Sequence, residues 1–248
     1  MIFDIIYFME SKEIEKLLKL NYEDLVNYLL NKYGNVNGNY YVNEFCRTKN
    51  NKIRRTNDGL YIHHIKEDVA IKLSESSFAI NQPFEYQLGK NLLYCNILEH
   101  FILHIKILEK NSDEDMCGIG GIENFIIPEI NDYFNGYNEL GLYKYKSLNL
   151  ISNNLEDYIK CLEYYLDVLD NRQFLKEQGF GSISHISKGD KTGLNPYIYE
   201  RLSSRAKEKA IIEFQNTHCK DFNSELCLSG KCPKQTVRCT TQRVWLCK

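Results

Sequence analysis

Long hydrophobic runs and an excess of charge of one sign are both missing from this sequence. No window approaches the roughly 18 uninterrupted apolar residues of a membrane-spanning helix. The apolar N-terminus carries Asp4 and lacks the basic region of a signal peptide. The 31 Lys+Arg against 33 Asp+Glu give a net charge of −2, which excludes a uniformly basic coat protein but allows a local basic surface. These absences predict a cytoplasmic protein with no membrane partner.

The chain's 248 residues, 43% of them hydrophobic, suffice for one large or two small domains with a buried core. Disulfide bonds are therefore not needed for folding. Of the nine cysteines, five fall in the last 30 residues and four occur singly. The single ones are expected to be buried thiols of a reducing compartment; they are Cys46, Cys95, Cys117 and Cys161.

The spacing of apolar residues predicts a mostly helical α+β fold. Apolar positions at helical intervals predict helices or helical pairs in the ranges 11–33, 97–108, 155–169 and 202–214. Short β-prone segments occur at 40–42, 60–65 and 91–95. The middle of the chain should therefore contain a strand, a long connection, a second strand and a helix.

Four of the six histidines lie between residues 63 and 104. His63 and His64 end the first of these strands, and His100 and His104 lie four residues apart on the helix. That spacing points two imidazoles the same way, as two ligands of one metal require. Taken alone, two hydrogen-bonded histidines at the edge of a core would be the more ordinary interpretation.

The complete pattern is His63-His64, a connection of variable length, Asn91, eight residues, His100, three residues and His104. In this order, on two strands and a helix, it resembles the HNH (His-Me finger) nucleases, and within them the colicin-type DNases. The resemblance covers residues 57–108 and implies a ββα-metal core, which we place at residues 46–110. The pattern of the remaining sequence divides it into an N-terminal helical segment at 1–45, a helical accessory region at 111–217 and a basic Cys-rich tail at 218–248. The connection from His64 to Asn91 is longer than in compact members of the family.

The resemblance also implies roles for the five pattern residues. His63, His100 and His104 would bind a divalent metal (Mg²⁺, Mn²⁺ or Zn²⁺), His64 would activate a water molecule, and Asn91 would orient the loop that carries His64. The alternation of side chains along a strand leaves the reverse order of the adjacent histidines open. Glu99, beside His100, is interpreted as a solvated helix-face residue, with support of a metal ligand as the alternative.

Phosphodiester hydrolysis needs a base to deprotonate water and positive charge to stabilise the transition state, and this set of residues offers both. The expected function is a metal-dependent endonuclease that hydrolyses DNA, in a restriction system or encoded by a phage or mobile element. Cleavage of RNA is left open, and palindromic cleavage would require a homodimer. The alternatives are a non-catalytic zinc-containing nucleic-acid-binding protein and a helical interaction protein with core histidines.

Two basic segments are candidates for further contacts. The first holds five cations that could contact a nucleic-acid backbone or simply be solvated: Arg47, Lys49, Lys52, Arg54 and Arg55. The second is the tail, with four cysteines suited to a structural zinc: Cys227, Cys232, Cys239 and Cys247. The tail lacks a Cys-x2-Cys pair, so reduced or incidentally paired cysteines remain an alternative. The segment Cys117-Gly-Ile-Gly-Gly121 lacks the ending of a phosphate loop and is interpreted as a turn.

Overall fold

The computed structural model describes residues 11–137, 142–182, 186 and 196–218. The chain divides into two compact units, Met1–Asn195 and Pro196–Lys248. The described helices are α1 (Ser11–Leu17), α2 (Tyr22–Tyr33), α3 (Ser76–Ala79), α4 (Ile97–Lys110), α5 (Ile119–Gly121), α6 (Ile127–Phe134), α7 (Leu142–Asn149), α8 (Leu155–Asp170), α9 (Gln173–Glu177) and α10 (Pro196–His218). A π-helical turn, Ile122–Ile126, joins α5 to α6. The expected mostly helical α+β class is confirmed.

The N-terminal range predicted to form a helix or a helical pair forms a pair, α1 and α2. The side chain of Asn21 caps α2 by accepting a hydrogen bond from the backbone N–H of Asp24 at 2.8 Å. Gly34 ends the helix with φ of +79°, a conformation that glycine adopts without strain. The buried face of α2 packs against the second strand and α4. This packing brings the first residue of α2, Tyr22, next to the first strand.

Two strands, β1 (Tyr61–His64) and β2 (Leu92–Cys95), form one antiparallel sheet in which His63 pairs with Leu93 and His64 with Leu92. Both strands and the helix that follows them were predicted. The expected strand at residues 40–42 is wrong, because that segment makes only an isolated bridge between Tyr41 and Lys49. Between the strands, the long connection contains α3 and short 3₁₀ turns at Ile65–Asp68, Phe84–Gln87 and Gly89–Asn91.

A reciprocal capping box starts α4. Asn96 accepts a hydrogen bond from the backbone of Glu99, and the Glu99 carboxylate accepts one from the backbone of Asn96. The expectation of a solvated Glu99 is wrong, since its side chain is fully buried. The α2 side chains Lys32 and Tyr33 donate to its carboxylate and compensate its burial. The histidine-bearing helix is thereby locked at its first turn.

The four single cysteines are free and buried, as predicted. The predicted zinc ligands Cys227, Cys232, Cys239 and Cys247 lie outside the described residues. Within the ranges that the structure describes, no helix combines the length and apolar character needed to cross a bilayer.

Candidate metal centre

The three histidines predicted as metal ligands lie together where β1 faces α4. The ring centroid of His63 lies 5.3 Å from that of His100 and 5.3 Å from that of His104. The centroids of His100 and His104 are 4.7 Å apart, one helical turn along α4. His63 is therefore the strand histidine that faces the helix, which agrees with the order that the resemblance implied.

A fourth residue, Glu67, completes the cluster. It lies in the 3₁₀ turn Ile65–Asp68, which begins immediately after β1. One potential ligand atom from each of the four residues lies within 4.8 Å of the others. Glu67 Oε2 is 3.5 Å from His63 Nδ1 and 3.4 Å from His104 Nε2, and His104 Nε2 is 3.1 Å from His100 Nε2. Tetrahedral ligands about 2.05 Å from a metal are separated by roughly 3.3 Å, so these distances suit one ion.

The hydrogen bonds of His63 leave its Nδ1 lone pair directed at the cluster. The Tyr22 hydroxyl donates its single proton to the Ile65 carbonyl at 2.8 Å, so it can only accept at the His63 ring, where Nε2 lies 3.1 Å away. The proton of His63 must then be on Nε2. Its buried Nδ1 has no hydrogen-bond partner among the described residues. A buried lone pair without a partner is costly, and a metal ion would compensate that cost.

His104 is held in the complementary tautomer by the segment that follows α4. The Gly118 carbonyl lies 3.1 Å from His104 Nδ1 and can only accept, so Nδ1 carries the proton and Nε2 presents a lone pair to the cluster. Gly118 adopts φ of +89°, and a Cβ at Gly121 would lie within 3.0 Å of three atoms of the His104 ring. Cys117 and Gly118 form a turn, as predicted, and α5 begins at Ile119. The absence of a side chain at Gly118 and Gly121 lets the segment approach the histidine.

Burial keeps the imidazoles of the cluster uncharged. Desolvation, followed by the neighbouring histidines, holds the pKa of His63 and His100 well below the ordinary value, and desolvation lowers the pKa of His104 to about 4. Burial raises the pKa of Glu67 to about 8. Three neutral imidazoles are the form that binds metals, and an ion's charge would favour the ionised carboxylate. The residues therefore fit a divalent metal in chemistry and in spacing.

His64, the next residue along β1, has its ring centroid 4.4 Å from that of Tyr40 and is buried, only 1% exposed. The Gln87 amide donates to the Leu73 carbonyl at 3.2 Å, which directs its Oε1 to His64 Nε2, 3.0 Å away. Because an amide oxygen only accepts, His64 carries its proton on Nε2 and a lone pair on Nδ1. That Nδ1 lies 3.8 Å from Glu67 Oε1. Burial lowers the pKa of His64 to about 4, so it is a neutral base at the edge of the cluster.

Asn91 does not touch His64. Its side-chain amide donates to the Glu85 carbonyl at 2.8 Å and holds the 3₁₀ turn that carries Gln87. Asn91 thus affects His64 indirectly, by holding the turn of Gln87, whose side chain accepts a hydrogen bond from the imidazole.

Four of the five cations in the first basic segment have exposed side chains: Arg47, Lys49, Lys52 and Arg54. Arg55 differs, because its guanidinium donates to Asp58 at 2.7 Å and to the Tyr33 carbonyl at 3.0 Å. Arg55 is therefore part of the fold and poorly placed to serve as a backbone contact.

Sequence reasoning missed Glu67, Gln87 and Tyr22 as parts of this site. Glu67 follows the histidine pair by only three residues, and this proximity was the one signal available. Gln87 and Tyr22 are 23 and 41 residues from the histidines that they contact, and no local pattern marks them.

Comparison with known proteins adds no relative: no family model, curated protein or solved structure matches the chain.

Proposed function

We propose that the chain is a metal-dependent endonuclease of the HNH type that hydrolyses DNA. The proposal rests on the different positions of two adjacent residues of β1, His63 and His64. His63 turns toward His100 and His104 to form a metal-binding cluster, while His64 directs a neutral Nδ1 at its edge. A phosphodiesterase needs a base beside a bound cation. Two histidines with a purely structural role would not need this arrangement.

In this function each residue has a defined task. His63, His100, His104 and Glu67 would hold the ion, which supplies positive charge for the scissile phosphate and the leaving oxygen. His64 Nδ1 accepts a proton from the attacking water. Gln87 keeps the proton of His64 on Nε2, so the basic nitrogen stays on the side of the cluster. Tyr22 and the Gly118 carbonyl do the same for the two ligand histidines.

Nicking of plasmid DNA tests this function. Purified protein is incubated with supercoiled plasmid and Mg²⁺, Mn²⁺ or Zn²⁺, beside His64→Ala, His104→Ala and the control His185→Ala, a histidine outside the pattern. Wild type and control should nick in at least one metal. His64→Ala should lose about 10²- to 10⁴-fold in rate, the usual contribution of a general base. Absence of nicking in every metal, or equal nicking by all four proteins, would refute the enzyme.

A second function, a non-catalytic zinc protein that binds nucleic acid, is favoured by Glu67. Structural zinc sites use four protein ligands, whereas catalytic sites keep a position open. Four groups lie within one ion's reach here, as in a structural site. In the nuclease, by contrast, one ligand would have to give way to the substrate. Glu67 is the only carboxylate among the four and its side chain is 15% exposed, so it is the ligand that a phosphate would displace. Tight metal binding without nicking would favour this second function.

A further inference from the structure

A hairpin formed by residues 40–50, hereafter the 40–50 hairpin, is fixed to the fold from its inner side. The backbone N–H of Asn50 donates to the Tyr40 carbonyl at 2.7 Å, and that of Val42 to the Thr48 carbonyl at 2.9 Å. Tyr41 and Cys46 are each 1% exposed and pack with Ala79. The inward side chains therefore hold the hairpin in place and leave the others directed outward.

Two of the outward side chains at the tip are apolar, and the exposed Asn43 and Glu44 lie between them. Val42 is 60% exposed and Phe45 is 56% exposed. Isolated exposed apolar residues are common on protein surfaces, so exposure by itself does not identify a ligand. The neighbouring charges do.

Four exposed cations, Arg47, Lys49, Lys52 and Arg54, follow these apolar side chains in sequence, against one exposed acid, Glu44, at the tip. None of the four cations forms an ion pair in the part of the chain that the structure describes. Burial, and then the charge of Arg54, lowers the pKa of Lys49, whereas the charge of Glu75 raises it. Net positive charge in the same segment as an exposed aromatic ring suits a polyanion with flat apolar faces, which a strand of DNA with accessible bases provides.

The same hairpin adjoins the proposed site. The ring of Tyr40 lies 4.4 Å from the ring of His64, centroid to centroid, and Lys49 Nζ lies 5.4 Å from the centroid of Tyr40. The base of the hairpin therefore contacts the residue proposed to activate water.

We propose that the 40–50 hairpin binds a DNA strand with unpaired bases, with Phe45 stacking on one base and Arg47 and Lys52 contacting phosphates. The choice of DNA rests on the proposed nuclease function. The hairpin then determines that the enzyme engages single-stranded or locally opened DNA. Binding through phosphate contacts alone, without base stacking, would not require the Phe45 ring.

Binding in EDTA tests the hairpin separately from catalysis. Anisotropy is measured with a fluorescein-labelled single-stranded oligonucleotide, and stacking is measured as quenching of 2-aminopurine placed within it. Phe45→Ala should weaken binding about 5- to 150-fold, the range for loss of one base–aromatic stack, and reduce the quenching. Phe45→Trp should restore both. The matched control is Phe125→Ala, which removes an equally exposed ring, 64% exposed, from another element and should bind as wild type does.

The phosphate contacts are tested by the dependence of the binding constant on salt. Each of Arg47→Ala and Lys52→Ala should reduce the slope of log K against log salt by about 0.7, as expected for one phosphate contact to a single strand. Unchanged affinity of Phe45→Ala, or unchanged slopes, would overturn the proposal. If Phe45 dependence is found without nicking in any metal, the hairpin assignment holds and the nuclease fails. If nicking is found while Phe45→Ala binds like wild type, the nuclease function holds and the hairpin assignment fails.

Discussion

At the scale of single residues, Glu67 determines the proton balance of the candidate metal centre. Its pKa of about 8 keeps the carboxyl group protonated at pH 7 in the metal-free protein, whereas the three histidines are already neutral. A metal ligand must be deprotonated, so the ion has to displace one proton, and that proton comes from the carboxyl group.

We therefore expect Mn²⁺ binding at pH 7 to release about one proton per chain, and fewer as the pH rises above 8. Isothermal titration calorimetry in buffers of different ionisation enthalpy measures this number. Glu67→Gln should release none, because its amide has no acidic proton. Release of two or more protons at pH 7 would mean that the histidines are charged and that burial does not depress their pKa.

Gly121 matters for the space that its missing side chain leaves. A methyl group there would collide with the His104 ring, whereas a Cβ at Gly120 would meet only Asn124 Nδ2 at an ordinary 3.7 Å. Gly121→Ala should displace the imidazole and weaken Mn²⁺ binding about 10- to 100-fold, the usual cost of disturbing a residue that orients a ligand. Gly120→Ala is the matched control. Equal affinity of the two variants in an Mn²⁺ titration would show that His104 needs no such support.

At the scale of elements, α2 does more than cover the sheet. Its first residue, Tyr22, sets the tautomer of His63, and its last turn supplies the Lys32 and Tyr33 groups that bind the buried Glu99 of α4. One helix therefore positions both the strand ligand and the helix that carries the other two.

Tyr22→Phe tests this role of α2. The variant keeps the ring but removes the oxygen that accepts from His63 Nε2, so the Nδ1 lone pair is no longer fixed toward the cluster. Affinity for Mn²⁺ should fall about 10- to 100-fold. Tyr28→Phe removes the hydroxyl that donates to Glu13 at 2.8 Å on the same helix and should leave the affinity unchanged. Indistinguishable affinities of the two variants would argue against tautomer control by α2.

The order of elements was predictable from sequence because it depends on local patterns. The strand, strand and helix order and the direction of His100 and His104 follow from apolar spacing and helical geometry. The environment of Glu99 was not predictable, because a glutamate on a helix is normally solvated and its burial depends on α2, 66 residues away. Glu67 and Gln87 lie in the long connection between the two strands. Their positions in the site could not be predicted, because no periodic pattern in the sequence indicates how this connection folds.

At the scale of the whole molecule, the buried cluster makes the stability of the metal-free protein depend on pH. The depressed pKa of the histidines means that the unfolded chain binds more protons below about pH 6.5, so stability is lost as the pH falls from 6.5 toward 4. Glu67 acts oppositely. Its raised pKa gives stability that is present below about pH 4.5 and is lost as the pH rises through 8.

The metal-free protein should therefore be most stable near pH 7, where the histidines are largely neutral in both states and Glu67 is still largely protonated in the fold. Urea unfolding in EDTA at intervals from pH 5 to 9 measures the profile. Glu67→Gln should remove the decline on the alkaline side and keep the loss in acid. A profile that is flat from pH 5 to 7 would contradict the burial of neutral histidines.

The central claim is that His63, Glu67, His100 and His104 hold one divalent ion. The direct measurement is an equilibrium titration with Mn²⁺, followed by loss of the electron paramagnetic resonance signal of the free ion. Mn²⁺ suits a carboxylate ligand such as Glu67 and is poorly bound by thiolates such as those of the tail. We predict one equivalent per chain for wild type and for His185→Ala, and none at the same concentrations for His63→Ala and His104→Ala. Equal binding by all four proteins, or no binding by wild type, would contradict the claim.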